Sequence, residues 1–276
     1  MNVVVIDLYS TSAFYYGLVC SLACKMFGIH YIPILRGGDL PARWKRNPSF
    51  CRIIFSSAKW VVSPSKYLYS FFGEQGISNL QYIPNPVRLA ICPFSVRALP
   101  RPRLLWVRSF HEIYNPLLAV EVFHELKKVY PNATLAMIGP AKDDTLEQCI
   151  SFCKSKSLTN VHFPGLMAKE AWIQRSAEYD IFINTARFDN IPVSVMEAMA
   201  LGLPVVSTNV GGIPFLIDHG FNGLLVPSED RKAMVDAVIQ LCSDGTLALR
   251  LARNARATVE EFDEDRVYSQ WQPILA

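Results

Sequence analysis

Short runs of Val, Ile and Leu, each followed by a helical stretch, set the tightest limit on what this chain can become. Asn2 to Ile6, Tyr31 to Leu35, Val61-Val62 and Gln81 to Pro84 read as strands. The first is apolar enough to be buried on both faces. Between them lie a helix from Ser12 to Phe27, capped by Thr11 or Ser12 and stopped by Gly28, and another from Ser63-Pro64 to Phe72. Strands alternating with helices form parallel sheets with right-handed crossovers. Pro84, Pro86, Pro93, Pro100 and Pro102 then crowd one segment, a linker composition. After it the alternation restarts. Strands are expected at Arg103–Val107, Ala133–Ile138, Val161–Phe163, Ile181–Asn184, Leu203–Ser207 and Leu224–Val226. Helices are expected at Pro116–Tyr130, Thr145–Lys156 and Ala168–Ala177, with Ser228 capping a last helical region. The fold class is therefore α/β, with two Rossmann-like parallel-sheet domains.

Composition narrows the functions. Charged residues make up 18% of the chain, too few for a disordered one. No basic leader follows Met1, and the apolar stretch Ala13 to Leu35 is interrupted by Lys25 and His30, so it does not read as a membrane span. Cys20 with Cys24, and Cys149 with Cys153, sit four apart and read as buried thiols of a reducing, cytoplasmic compartment. No histidine cluster has metal spacing, so no metal site is expected. Residues 1–101 carry a net charge of +8 and residues 102–276 a net −5. That asymmetry marks the first part as a surface for an anionic partner.

The stretch Asp189 to Pro214, DNIPVSVMEAMALGLPVVSTNVGGIP, carries the chemistry. Pro192 suits the first turn of a helix, and Val193 to Leu201 is apolar nearly all round, as in a buried helix. Glu197 is the one charge inside it, and a buried carboxylate needs a partner. Gly202 ends the helix. Gly211-Gly212 then allows close backbone approach to a ligand, and Pro214 opens another helix whose bare N–H groups suit an anion. Taken alone, these residues also fit a blander reading, in which Glu197 pairs with a core arginine such as Arg175 and the glycines only turn the chain.

Asp189, Glu197, Gly211 and Gly212 together resemble the donor-site signature of the retaining group 1 (family 4) glycosyltransferases of GT-B fold. That family carries two acids eight positions apart; here the first is Asp189 rather than Glu. The resemblance implies that Asp189 holds the donor sugar's hydroxyls, Glu197 the ribose, and Gly211-Gly212 the diphosphate. Asn190, Ile191 and Pro192 would add helix-start N–H groups. Arg108, in Trp106-Val107-Arg108-Ser109-Phe110, resembles the family arginine that contacts the diphosphate, and a planar fork suits that task. On its own it also fits a salt bridge to an acid on the next strand. The lysine usual a turn later is absent from His111-Glu112-Ile113-Tyr114-Asn115-Pro116. Gly139, Gly165 and Leu166 end two further strands, where the family frames the nucleotide base, though any α/β fold needs glycine there. Arg36-Gly37-Gly38 stands where many relatives have a His-Gly pair; it would face the acceptor, or be a solvated turn.

The resemblance also implies an organisation. Residues 1–88 form an acceptor-side Rossmann-like domain, 89–102 a linker, 103–260 the donor-binding domain, and 261–276 a helix returning to the first domain. No counterpart of the family's opening strand and Gly-rich loop is found, so the first domain is expected to be incomplete and to expose a strand edge. The implied reaction is transfer of a hexosyl group from a nucleotide-diphosphate sugar to a carbohydrate or lipid-linked acceptor, with retention, without a metal and with no separate cofactor. Polysaccharide biosynthesis of the cell envelope is the setting. Ala42 to Phe55 mixes basic and aromatic residues, which suits contact with an anionic membrane at its inner face or a plain amphipathic helix. Nucleic acid is not expected, since no recognisable module is present. The rival readings are a non-catalytic nucleotide-sugar binder and a nucleotide-sugar 2-epimerase. The second would need an acid/base set, and residues 1–101 offer only Asp7, Asp39, Glu74 and one histidine.

Overall fold

A computed structural model describes residues 3–276. They divide into two compact units. One comprises the residues up to Pro86 with Asp189–Ile191 and Phe262–Ala276; the other comprises Val87–Phe188 and Pro192–Glu261.

The first unit is built on four parallel strands, β1 (Val3–Leu8), β2 (His30–Leu35), β3 (Val61–Ser63) and β4 (Leu80–Tyr82), in that spatial order. Asn2, expected to open the first strand, lies outside the described residues. Helices α1 (Phe14–Met26), α2 (Leu40–Arg46), α3 (Pro48–Ser56) and α4 (Lys66–Glu74) connect the strands. Neither Thr11 nor Ser12 caps α1. Their carbonyls accept from Phe14 and Tyr15 N–H in a turn, and Ala13 precedes the helix with no side-chain cap. The basic and aromatic stretch is two helices, because Pro48 restarts the helix and holds Asn47 out of the helical region. Trp44, Phe55 and Phe72 stack beneath the sheet with Leu35 and Tyr31. Strand β1 is an edge strand, not buried on both faces: Val4 is 37% exposed and Val5 46%. Tyr16, Val19, Met26 and Phe27 of the α1 region are exposed as well.

The second unit holds β5 (Arg103–Val107), β6 (Thr134–Ile138), β7 (Val161–Gly165), β8 (Ile181–Asn184), β9 (Val205–Thr208) and β10 (Leu224–Val226). All pair in parallel in the order β10-β9-β8-β5-β6-β7. Helices α5 (Pro116–Val129), α6 (Thr145–Ser155), α7 (Lys169–Arg175), α8 (Val193–Ala200), α9 (Arg231–Ser243) and α10 (Gly245–Glu260) cover it. The chain runs outward from β5 to β7, then returns to β5's other side and runs outward again from β8. In sheets of this order the ligand crevice is found outside the carboxyl ends of the strands at such a reversal, here β5 and β8. Asp230, not Ser228, caps α9, accepting from Ala233 N at 2.8 Å.

The proline-rich segment expected to be a linker is fastened to the second unit. Arg97 donates to the carbonyls of Ser176 (3.0 Å) and Tyr179 (3.2 Å), and Ser95 N donates to Leu201 O (3.2 Å). Helix α11 (Glu264–Leu275) belongs to the first unit, where Val267 and Ile274 bury against Ile32, Ile34, Val62 and Ile83. All seven cysteines are free thiols; Cys20, expected to be buried, faces solvent on α1, whereas Cys24, Cys149 and Cys153 are buried. Among the described residues no helix is long and apolar enough to cross a membrane.

Candidate functional site

The reversal between β5 and β8 is held by a short chain of hydrogen bonds. Trp106 Nε1 in β5 donates to Thr185 Oγ1 just past β8, at 3.0 Å, and that hydroxyl donates to Tyr114 O at 2.9 Å. Tyr114 is thereby fixed beside the end of β5, where the next residue out is Arg108. The Arg108 guanidinium carbon lies 4.6 Å from the centre of the Tyr114 ring, within cation–π range. Its Nε and Nη2 are buried. Burial lowers the arginine's pKa, while Tyr114 and Glu197 act in the opposite direction.

Glu197 lies in α8, the helix that follows β8. Every residue from Ser194 to Ala200 is buried, and Glu197 is only 4% exposed. Burial raises its carboxyl pKa, against the pull of Lys169 and Arg108. Arg175, the partner in the blander reading, is instead engaged by Glu178 through two contacts of 2.9 Å. The cation beside Glu197 is Lys169, whose Nζ lies 2.6 Å from Oε1. Lys169 opens α7 just beyond the end of β7, and sequence reasoning missed it. The available signal was its place four residues after Gly165, at the carboxyl edge of the sheet.

A cavity of about 180 Å³ lies at the carboxyl ends of β5, β6 and β7, lined among others by Val107, Arg108, Gly139, Leu166, Lys169 and Trp172. Gly139 makes this geometry possible. A Cβ there would stand 1.8 Å from the Arg108 carbonyl oxygen. Its N–H donates to Gly165 O at 3.0 Å, which joins the two strand ends. Leu166 is 75% exposed at the rim.

Gly211 follows β9 with φ +54°, and Gly212 takes φ −86°. Successive residues of opposite hand turn their N–H groups to one side, a small anion-binding nest. The helix expected from Pro214 is only one 3-10 turn, Ile213–Phe215, so no macrodipole reinforces the nest. Pro192 stands one residue before α8, in extended conformation, rather than in its first turn.

The remaining candidates lie in the first unit. Asp189, Asn190 and Ile191 are grouped with it. Asn190 Oδ1 accepts from the Ser65 hydroxyl and Nδ2 donates to Leu35 O at 3.3 Å. The Asn190 N–H, expected to face a ligand, donates to Asp189 Oδ1 at 2.9 Å. Arg36 is not a solvated turn. Its Nε donates to Asp7 Oδ1 (2.8 Å) and its Nη1 to Asn85 Oδ1 (2.6 Å), at the carboxyl end of β2. A Cβ on Gly37 would meet Ser10 N at 2.3 Å, so only glycine fits there, with half-buried Gly38 following.

Arg108, Gly139, Gly165, Leu166, Glu197, Gly211 and Gly212 thus share one sheet edge of the second unit, joined there by Lys169, and Arg36–Gly38 and Asp189–Ile191 form a separate group. The amylovoran biosynthesis glycosyltransferase AmsK of Erwinia amylovora is 42% identical over 88 residues, 32% of this chain and 22% of AmsK. The D-inositol 3-phosphate glycosyltransferase of Paenarthrobacter aurescens is 28% identical over 255 residues, 84% of this chain and 60% of that protein. The chain therefore spans less than two thirds of these relatives. The crystal structure of Anabaena HepE with UDP and glucose superposes with a TM-score of 0.83 at 18% identity, covering 98% of this chain and 77% of HepE, and so shares its fold. A profile of the family described as Glycosyl transferases group 1 matches residues 101–244, just over half of the 276. Two parallel-sheet α/β units, a matched second unit and these relatives place the chain in the group 1 glycosyltransferases, with a GT-B fold.

Proposed function

We propose that the chain transfers a hexosyl group from a nucleotide-diphosphate sugar to a hydroxyl of a carbohydrate or lipid-linked acceptor, with retention. The observation that carries this is the buried Glu197 carboxylate beside the buried Arg108 guanidinium, at the β5–β8 reversal. A carboxylate there binds ribose hydroxyls, and a guanidinium there binds phosphate. The loops carrying Gly139, Gly165 and Leu166 take the base. Asp189 takes the sugar hydroxyls, and Arg36 the acceptor side. UDP and glucose bound by HepE, and the amylovoran biosynthesis named for AmsK, support the same class of donor and product.

Negative charge grows on the leaving diphosphate as the glycosidic bond breaks. Arg108 and the Gly211-Gly212 amides stabilise it, so the reaction proceeds without a metal. The leaving phosphate takes the acceptor's proton on the same face, and the acids position rather than react. The basic and aromatic surface of α2 and α3 suits an anionic membrane at the cytoplasmic side, within reach of a lipid-linked acceptor.

The test is a thermal-shift screen against UDP-, GDP- and ADP-sugars, followed by NMR of the product's anomeric configuration with a sugar acceptor. Stabilisation by one nucleotide class and an α-product from an α-donor support the reading. No stabilisation by any of them overturns it, and an inverted product overturns retention.

A further inference from the structure

One side chain in the second unit serves two surfaces that the proposed reaction uses separately. Lys169 lines the cavity at the ends of β5, β6 and β7 together with Arg108 and Gly139, while its Nζ reaches Glu197 Oε1 at 2.6 Å. The Lys169 side chain is 43% exposed and that of Glu197 5%. The carboxylate is therefore fixed in a buried helix, and the ammonium sits on a long stem free to move. Glu197 needs its oxygens for ribose hydroxyls, so a bound nucleotide competes with the lysine for the same acceptor. The residues from His111 to Pro116, where a second cation would follow Arg108, contain no lysine.

Resting on the donor-site reading above, we propose that Lys169 is a donor-binding residue. Its ammonium passes from Glu197 to the diphosphate of the nucleotide sugar as the ribose takes the carboxylate. The second phosphate-binding cation then comes from the start of α7 rather than from the loop after β5. An ammonium on a flexible stem suits this exchange, because it holds phosphate as a point charge and needs no fixed fork. The exchange also keeps the Glu197 oxygens hydrogen-bonded at every stage, first by the lysine and then by hydroxyl donors, so the buried carboxylate is never without donors.

The alternative is that Lys169 acts only through Glu197. A double-mutant cycle separates the two. Binding of UDP, GDP and ADP is measured by calorimetry, or by ligand-observed 31P NMR where affinity falls to millimolar, for wild type, Lys169→Met, Glu197→Gln and the double variant. Lys169→Met is expected to weaken the preferred nucleoside diphosphate about 10- to 100-fold, the range of a charge-assisted hydrogen bond. The double variant is expected to bind more weakly than Glu197→Gln by a similar factor. Lys169→Arg, which keeps the charge, is expected to recover most of the affinity. If Lys169→Met binds as tightly as wild type, or costs nothing in the Glu197→Gln background, the lysine does not touch the diphosphate and the proposal falls alone. If wild type binds none of the three nucleotides, the donor-site reading falls with it.

Discussion

Trp106 Nε1 donates to Thr185 Oγ1 at 3.0 Å, and this bond joins β5 to the segment leaving β8 at the point where the sheet order reverses. Thr185 passes the connection on to Tyr114 O, beneath whose ring Arg108 is held. Thr185→Val keeps the side chain's shape but leaves the indole N–H without its acceptor. It is expected to destabilise the protein by about 1–3 kcal/mol, the cost of a buried donor without a partner. Nucleotide affinity is expected to fall too, because Tyr114 loosens, and Thr185→Ser should restore both. Urea midpoints read the first effect and calorimetry the second. Unchanged affinity in a destabilised Thr185→Val protein would separate this bond from the site.

Glu197 makes a pH-dependent contribution whose sign is opposite to that of an ordinary paired carboxylate. Burial raises its pKa in the folded state, so the folded chain holds this proton more tightly than the unfolded chain. Stability is therefore lost as pH climbs from the unfolded pKa to the raised folded one. Glu197→Gln removes that slope. As pH rises from the unfolded glutamate range, about 4.3, wild type is expected to lose melting temperature relative to Glu197→Gln, with nucleotide affinity of the variant weaker by about 1–3 kcal/mol. A difference in the reverse direction would mean that Lys169 outweighs burial. A collapse of the variant at neutral pH would mark Glu197 as a core partner rather than a ligand group.

The outer edge of β1 and the exposed face of α1 form an apolar surface with an open strand edge. Such edges pair with other chains. The protein is expected to self-associate at micromolar concentration, and Val5→Lys to shift it toward monomer with little change in melting temperature, since Val5 is 46% exposed. Sedimentation velocity over a concentration series decides this. A monodisperse wild-type monomer across the series removes the edge as an association site.

The alternation of apolar runs and helical stretches was enough to place the sheets, and Arg103–Val107 and Ile181–Asn184 have the bounds expected from their composition. Both are strands covered on two faces, where composition and burial agree. Asn2–Ile6 misleads because a Val-rich run looks the same at an edge as at the centre of a sheet. Residues 89–102 mislead because proline forbids helix and central strand but not packing, and Arg97 fastens the segment through backbone carbonyls that no sequence pattern displays. The apolar surroundings of Glu197 were legible, since it is the one charge between Asp189 and Pro214, but its partner was not. Lys169 reaches it from 28 residues away in sequence through the return of the fold, and an exposed lysine at a helix start looks like any solvated one.

Helix α11 gives the chain an order of assembly. The second unit is complete at Glu261, but the first unit needs Val267 and Ile274 to close over Ile32, Ile34, Val62 and Ile83. On the ribosome, the first unit's sheet thus keeps one face open until α11 has emerged, after Glu261 has completed its neighbour. Of the two units, the one whose strands come first in the chain is finished second, and until then its open apolar face is exposed to wrong contacts.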